Sequence, residues 1–173
     1  AIARADVRKN LGGLVAAFGA DPALREMANL VIVAGGRSDI RGMEEAQRKV
    51  LQDLLLDIDL YDLWGHVAIP KEIPQEEVPD VYRLAVKRRG IFVNSALTEP
   101  FGLTLIEAAA SGLPIVAPDD GGPRDIIANC RNGLLVDTLS ADAIGAALKS
   151  ALGDRKRWRK WSVDGLAGIQ RQY

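Results

Sequence analysis

Residues 98–114 read TEPFGLTLIEAAASGLP. Leu103, Ile106 and Ala110 fall at i, i+3 and i+7, the spacing of one helix face, and Gly112 with Pro114 ends the run as helices commonly end. Gly102 stands at the start of that helix. A helix start carries unpaired N–H groups and the positive end of the helix dipole, which makes it a ready anion site. Yet two carboxylates, Glu99 and Glu107, flank it. A ligand that is part phosphate and part polyol resolves the conflict: N–H groups and cations suit phosphate, while carboxylates accept hydrogen bonds from neutral hydroxyls. One helical turn rises about 5.4 Å, so Glu107 reaches a group beside the one held at the start. On this reading the carboxylates address sugar, not phosphate.

Outward from this stretch, short β-type runs alternate with helical patterns. Candidate strands cover residues 1–3, 30–34, 66–69, 91–93, 114–117 and 134–136. Leu11, Leu14, Val15 and Phe18 form one amphipathic stripe, and Met43, Ala46, Val50, Leu51, Leu54, Leu55 and Ile58 a stronger one. Ile144, Leu148, Ala151 and Leu152 form a third, with Ser140 as N-cap. This is the rhythm of βα units and predicts an α/β fold, a Rossmann-like doubly wound parallel sheet whose ligands bind at the carboxyl ends of the strands. Residues 70–79, PKEIPQEEVP, hold three prolines and three glutamates and read as a surface loop long enough to be functional.

With 173 residues, 48% of them hydrophobic, the chain suits one packed domain. The net charge of −1 gives no global pull toward nucleic acid or an anionic membrane, so anion recognition must be local. A single cysteine, Cys130, excludes an intrachain disulfide and has no metal-ligand partners at suggestive spacing; cytoplasm is the expected compartment. No apolar run approaches the roughly 18 residues a membrane helix needs. The opening residues, AIARADVRKN, lack a signal peptide's apolar core, and AIA reads as the tail of a strand already in progress, so a fragment is expected. In DRKRWRKW, Trp158 and Trp161 share one helix face and can pack inward while the cations point to solvent.

Neither G-x-G-x-x-G nor G-x-x-x-x-G-K-[ST] occurs, which argues against a dinucleotide dehydrogenase or a P-loop NTPase. Gly35–Gly36, Gly102 and Gly121–Gly122 remain, each where a strand hands over to a helix; a glycine pair there serves a tight turn or a ligand. ARADVRKN adds Arg4, Arg8 and Lys9 after the first strand, as solvated surface charge or as ligand-facing cations. His66, the only histidine, opens a strand and is read as structural or solvent-facing.

EPFGLTLIE, two glutamates with seven residues between, resembles the nucleotide-sugar motif of retaining glycosyltransferases with two Rossmann-like lobes, the GT-B fold. With ARADVRKNLGGLVAAFG, LREMANLVIVAGGRSDI, VPDVYRLA, GIFVNSALTEPFGLTLIEAAASGLPIVA and GGPRDI, the likeness is greatest to the sucrose-phosphate synthase family and runs from residue 1 to about 166. Sucrose synthase is similar but more distant. The resemblance implies that residues 1–173 form the nucleotide-sugar (donor) binding lobe and that the amino-terminal, acceptor-binding lobe lies outside this chain. It implies transfer of glucose from UDP-glucose to fructose 6-phosphate with retention, without a metal or other cofactor. Arg4 and Lys9 would hold the diphosphate and stabilise the leaving nucleotide. Glu99, with the N–H groups of Phe101, Gly102 and Leu103, would grip the hexose. Leu103 and Thr104 would lie against the phosphates, Glu107 would bind the ribose, and Ala68, Ile69 and Pro70 would cradle the base. Carboxylates alone do not make a glycosidase, since nothing in the sequence sets them across a scissile bond. The alternatives are a mannosylfructose-phosphate synthase using GDP-mannose, a sucrose synthase, and a non-catalytic nucleotide-sugar-binding module; VAIPKEIPQEEVP and GGRSD differ from the usual synthase pattern.

Overall fold

The computed structural model describes residues 1–173. In chain order its elements are α1 (Leu11–Gly19), α2 (Pro22–Met27), β1 (Leu30–Val31), α3 (Glu45–Leu60), β2 (Val67–Ala68), α4 (Val78–Lys87), β3 (Phe92–Val93), α5 (Leu103–Ala110), β4 (Ile115–Pro118), α6 (Gly122–Cys130), β5 (Gly133–Val136), α7 (Ala141–Gly153) and α8 (Arg155–Gln172). Five of the six strands expected from the sequence form, the first, residues 1–3, being reduced to a single bridge, and all pairing is parallel. β1 lies beside β2, with Leu30 opposite Val67. Residues 1–3 join the next strand's end through a bridge between Ile2 and Val33, with 2.9 Å bonds from the Ala3 N–H to the Val33 carbonyl and from the Val33 N–H to the Ala1 carbonyl.

β3, β4 and β5 make a second ladder in that order. The expected single sheet is therefore two parallel ladders meeting at a seam, with residues 1–3 on one side and β3 on the other. The winding direction reverses there, which is where doubly wound folds place their ligands.

Alternation along the strands explains the two-sided core. Val93 and Val116 face a cluster built on α1, α3 and α7, whereas Phe92, Ile115 and Ala117 face another built on α5 and α6. Successive strand side chains point to opposite faces, so strands buried on both sides read as unbroken apolar runs.

One expectation needs correction. Within 70–79, residues Gln75–Glu77 form a 3₁₀ turn, and Val78 and Pro79 already belong to α4. Proline is at home in a helix's first turn, where its missing N–H would have had no partner. The helix expected here forms as α5, with Leu105, Ala108 and Ala109 buried, while Leu103 is 70% exposed and Ala110 is exposed. Leu103 sits at the helix start, outside the packed face. The helix ending is as expected, the N–H of Gly112 bonding to Ala109 and that of Leu113 to Ala108, both at 2.9 Å.

At the far end, the Ser140 hydroxyl caps α7 by accepting from the Ala143 N–H at 3.1 Å. Trp158 is buried and donates its indole N–H to the Gly90 carbonyl at 2.8 Å; Trp161 packs partly on the core, with the Arg157 guanidinium 5.0 Å from its ring centre. The basic run is thus anchored by its tryptophans.

Candidate functional site

Lys9 closes a 3₁₀ turn, Val7–Lys9, whose N-cap is Asp6. Asp6 accepts from the Arg8 backbone N–H at 2.9 Å and from its guanidinium at 2.7 Å, which holds the Asp6 carboxyl well below the usual carboxylate range and turns Arg8 back on its own turn. Ser95 donates its hydroxyl to the Lys9 carbonyl at 2.9 Å, and Asn10, with φ 48°, donates its side-chain amide to the Thr138 carbonyl at 2.7 Å. The backbone under Lys9 is therefore pinned from two sides. Of the three cations in this segment, Arg4 and Lys9 face the seam and Arg8 does not.

The seam opens into a cleft of about 280 Å³. Its floor is residues 1–3 and Val93, with Asn94 and Ser95 beyond the end of β3. Its walls are Arg4 and Lys9 on one side and Glu99, Phe101, Gly102, Leu103 and Thr104 on the other.

Glu99 is the centre of its polar wall. Its Oε2 accepts from Lys9 Nζ at 2.7 Å and from the Asn94 side-chain amide at 3.1 Å, and its Oε1 from the Gly102 N–H at 3.3 Å. Burial opposes the charged carboxylate, but the bonds from Lys9 and Asn94 outweigh it, and the carboxyl lies below its ordinary range. Glu99 does not repel an anion from the helix start: its charge is already met by Lys9.

Gly102 has φ +81°, and a side chain there would stand 2.9 Å from Ile126 Cδ1, so glycine is required. The N–H groups of Leu103 and Thr104 follow it at the start of α5 with no protein partner. Gly121–Gly122 lies outside the cleft. The Gly122 N–H donates to the carbonyls of Glu99 and Pro100 at 3.1 and 3.2 Å, and a Cβ on Gly122 would collide with the Phe101 carbonyl. That pair is the buttress of the Glu99 loop.

Four of the residues named from the sequence, Glu107 and the base-cradling Ala68, Ile69 and Pro70, lie away from the cleft lining. Glu107 is one turn further along α5, where its Oε2 accepts from the Tyr82 hydroxyl at 2.9 Å. Ile69 follows β2, and its carbonyl and that of Pro70 accept from the Arg37 guanidinium at 3.0 and 2.9 Å. The Arg37 N–H adds a bond to the Lys71 carbonyl at 2.8 Å. Arg37 belongs to GGRSD, so this turn is a brace for residues 69–71. His66 is half-buried, and its Nδ1 has no partner.

Sequence reasoning missed Asn94, Tyr82 and Arg37. Asn94 had a positional signal, since it directly follows a strand at the carboxyl edge. Tyr82 and Arg37 stand in the quoted stretches VPDVYRLA and GGRSD, but nothing there pointed to their partners, which lie 25 or more positions away.

A doubly wound parallel fold with a cation, a paired carboxylate and a free helix start at its topological seam defines one lobe of a GT-B glycosyltransferase. The chain belongs to the family described as glycosyl transferases group 1, whose model matches residues 1–165. Sucrose-phosphate synthase 4 of Arabidopsis thaliana is 52% identical over 171 residues, which is 99% of this chain and 16% of that protein. The chain thus spans about one sixth of such a relative. Among solved structures, the sucrose-phosphate synthase of Thermosynechococcus elongatus matches with TM-score 0.80 and 28% identity over 98% of this chain and 40% of that one. The HepE protein of Anabaena, solved in complex with UDP-glucose, shares the fold at TM-score 0.80 and 17% identity, covering 99% of this chain and 44% of that one. No helix is long and apolar enough to cross a membrane.

Proposed function

We propose that this chain is the donor-binding lobe of a sucrose-phosphate-synthase-type enzyme that transfers glucose from UDP-glucose to fructose 6-phosphate in the cytoplasm. The observation that carries the reading is the Lys9–Glu99 pair, 2.7 Å apart, beside the unpartnered N–H groups of Leu103 and Thr104. That cluster offers donors for phosphate and an acceptor for hydroxyls within one cleft. A docking surface has no need of the combination.

In this reading Arg4, Lys9 and the α5 start hold the diphosphate and stabilise the charge that grows on it as the bond from the anomeric carbon to the phosphate oxygen breaks. The acceptor hydroxyl attacks the same face, and its proton passes to the leaving phosphate oxygen, giving UDP and sucrose 6-phosphate. Glu99 is a positioning group for the hexose, held ready by Asn94 and the Gly102 N–H. Glu107 takes the ribose and Ile69 the base. Phosphate charge is met by these cations and N–H groups, with no metal or other cofactor assigned. The acceptor is held mainly by a second lobe of the larger protein, so residues 1–173 bind donor without turnover.

Calorimetric titration with UDP, UDP-glucose, GDP and GDP-mannose tests this. Selective binding of the uridine nucleotides, weakened in Lys9→Ala and Glu107→Ala, is the expected result. Guanine preference would instead indicate a mannosylfructose-phosphate synthase, and binding untouched by both substitutions would sink the site assignment.

A further inference from the structure

Glu107 is exposed on α5, a setting in which a glutamate normally samples several rotamers. Here its Oε2 is held by the Tyr82 hydroxyl at 2.9 Å, and the same hydroxyl lies 3.4 Å from the Thr104 carbonyl at the helix start. Tyr82 itself has little freedom. It is 3% exposed, and its ring sits 5.7 Å from that of Phe92 at an interplanar angle of 50°. Burial, followed by the bond to Glu107 and its negative charge, pushes the phenol pKa well above the ordinary tyrosine range, so the hydroxyl stays protonated and donates.

We infer that Tyr82 is a positioning residue for the nucleotide ribose: it fixes one oxygen of Glu107 and leaves Oε1 to accept from a ribose hydroxyl. The inference rests on the assignment of Glu107 to the ribose. A buried phenol needs a hydrogen-bond partner in any fold, but a backbone carbonyl would serve that need. Directing the bond to an exposed carboxylate on another helix does something a carbonyl cannot: it orders a group that solvent would otherwise leave mobile. Tyr82 is also carried by α4, the helix that follows residues 69–77, so the segment assigned to the base and the group that sets the ribose acceptor are parts of one continuous stretch.

The test is Tyr82→Phe, which keeps the ring and removes the hydroxyl, titrated with UDP and with 2′,3′-dideoxyuridine diphosphate beside Glu107→Gln. Wild type is expected to prefer UDP. Tyr82→Phe should lose about tenfold of that preference, as removal of a hydrogen bond to a charged group does, leave the dideoxy affinity unchanged, and add nothing in the Glu107→Gln background. A variant that melts earlier yet keeps the full UDP preference would reduce Tyr82 to a structural role and overturn the inference. If wild type itself does not distinguish the two nucleotides and Glu107→Gln changes nothing, the ribose assignment fails and this inference with it. A ligand-free readout stands apart from both: the ¹³C carboxyl resonance of Glu107, assigned by its disappearance in Glu107→Gln, should shift in Tyr82→Phe. An unmoved resonance would show that Tyr82 does not set the carboxylate.

Discussion

Replacing Lys9 by Met keeps most of the apolar stem and removes the charge that faces Glu99. Cutting one partner from a fully buried ion pair costs about 3–5 kcal/mol, and exposed pairs contribute about 0–1 kcal/mol. The Lys9 and Glu99 side chains are 25% and 12% exposed, nearer the buried limit but open to solvent on the cleft side. Glu99 also keeps its bonds from Asn94 and Gly102. A loss of about 2–3 kcal/mol follows, which for a chain of this length lowers Tm by about 4–12 °C. The pH dependence gives the sharper check. Because the Glu99 carboxyl is depressed in the folded chain, its contribution is fully present above its unfolded value near 4.5 and is lost as pH falls through the lowered folded value. Without Lys9, burial is opposed only by the Asn94 and Gly102 bonds, so the variant should lose less stability on acidification. Urea midpoints measured from pH 7 to pH 3 should show the two proteins well separated at neutrality and converging in acid. A gap that stays constant across that range, or no gap at pH 7, would refute the argument that this ion pair braces the cleft.

Other substitutions separate the roles drawn from the geometry. Arg4→Ala should weaken UDP binding about tenfold or more, as loss of a charge-assisted contact does, whereas Arg8→Ala should leave it nearly unchanged because Arg8 is turned to Asp6; parallel titrations decide. Gly122→Ala forces a methyl against the Phe101 carbonyl and should shift the Glu99 loop, lowering stability by about 1–3 kcal/mol and weakening UDP together; denaturation and titration of one preparation read both. Arg37→Ala frees the carbonyls of Ile69 and Pro70 and should narrow the discrimination between UDP and GDP more than it lowers Tm, which competition titration would show.

The fold was legible because its signals are local. Apolar runs at 30–34, 91–93 and 114–117 and stripes such as Leu11, Leu14, Val15 and Phe18 report burial on one or both faces without reference to the rest of the chain. Local signals also have limits. Leu103, Ile106 and Ala110 have helical spacing, but spacing does not say which face meets the sheet; small residues at 108 and 109 mark that face, because they let α5 approach closely. Pro79 looked like loop punctuation, although the first helical turn accepts proline equally well. At the site, grouping Lys9 with residues 99–104 was recoverable from the rule that ligands collect at strand carboxyl ends. That Glu99 would be neutralised by Lys9, and that Tyr82 would reach Glu107, depends on tertiary distances that no spacing encodes.

The seam beneath the cleft has a further consequence. Residues 1–3 hydrogen-bond toward β1 and β3 toward β4, and near the cleft the two halves are tied by bonds such as Leu97 N–H to the Arg8 carbonyl, Ser95 Oγ to the Lys9 carbonyl and Lys9 to Glu99. A nucleotide lying across Arg4 and Lys9 on one half and the start of α5 on the other adds its binding energy to that junction. At a hundred times its Kd, such a ligand contributes about 2.7 kcal/mol to the folded state, comparable to the Lys9–Glu99 pair itself. On the proposed function the donor would be a structural member of the lobe for as long as it is bound, and each departure of the nucleotide would loosen the joint between the two ladders.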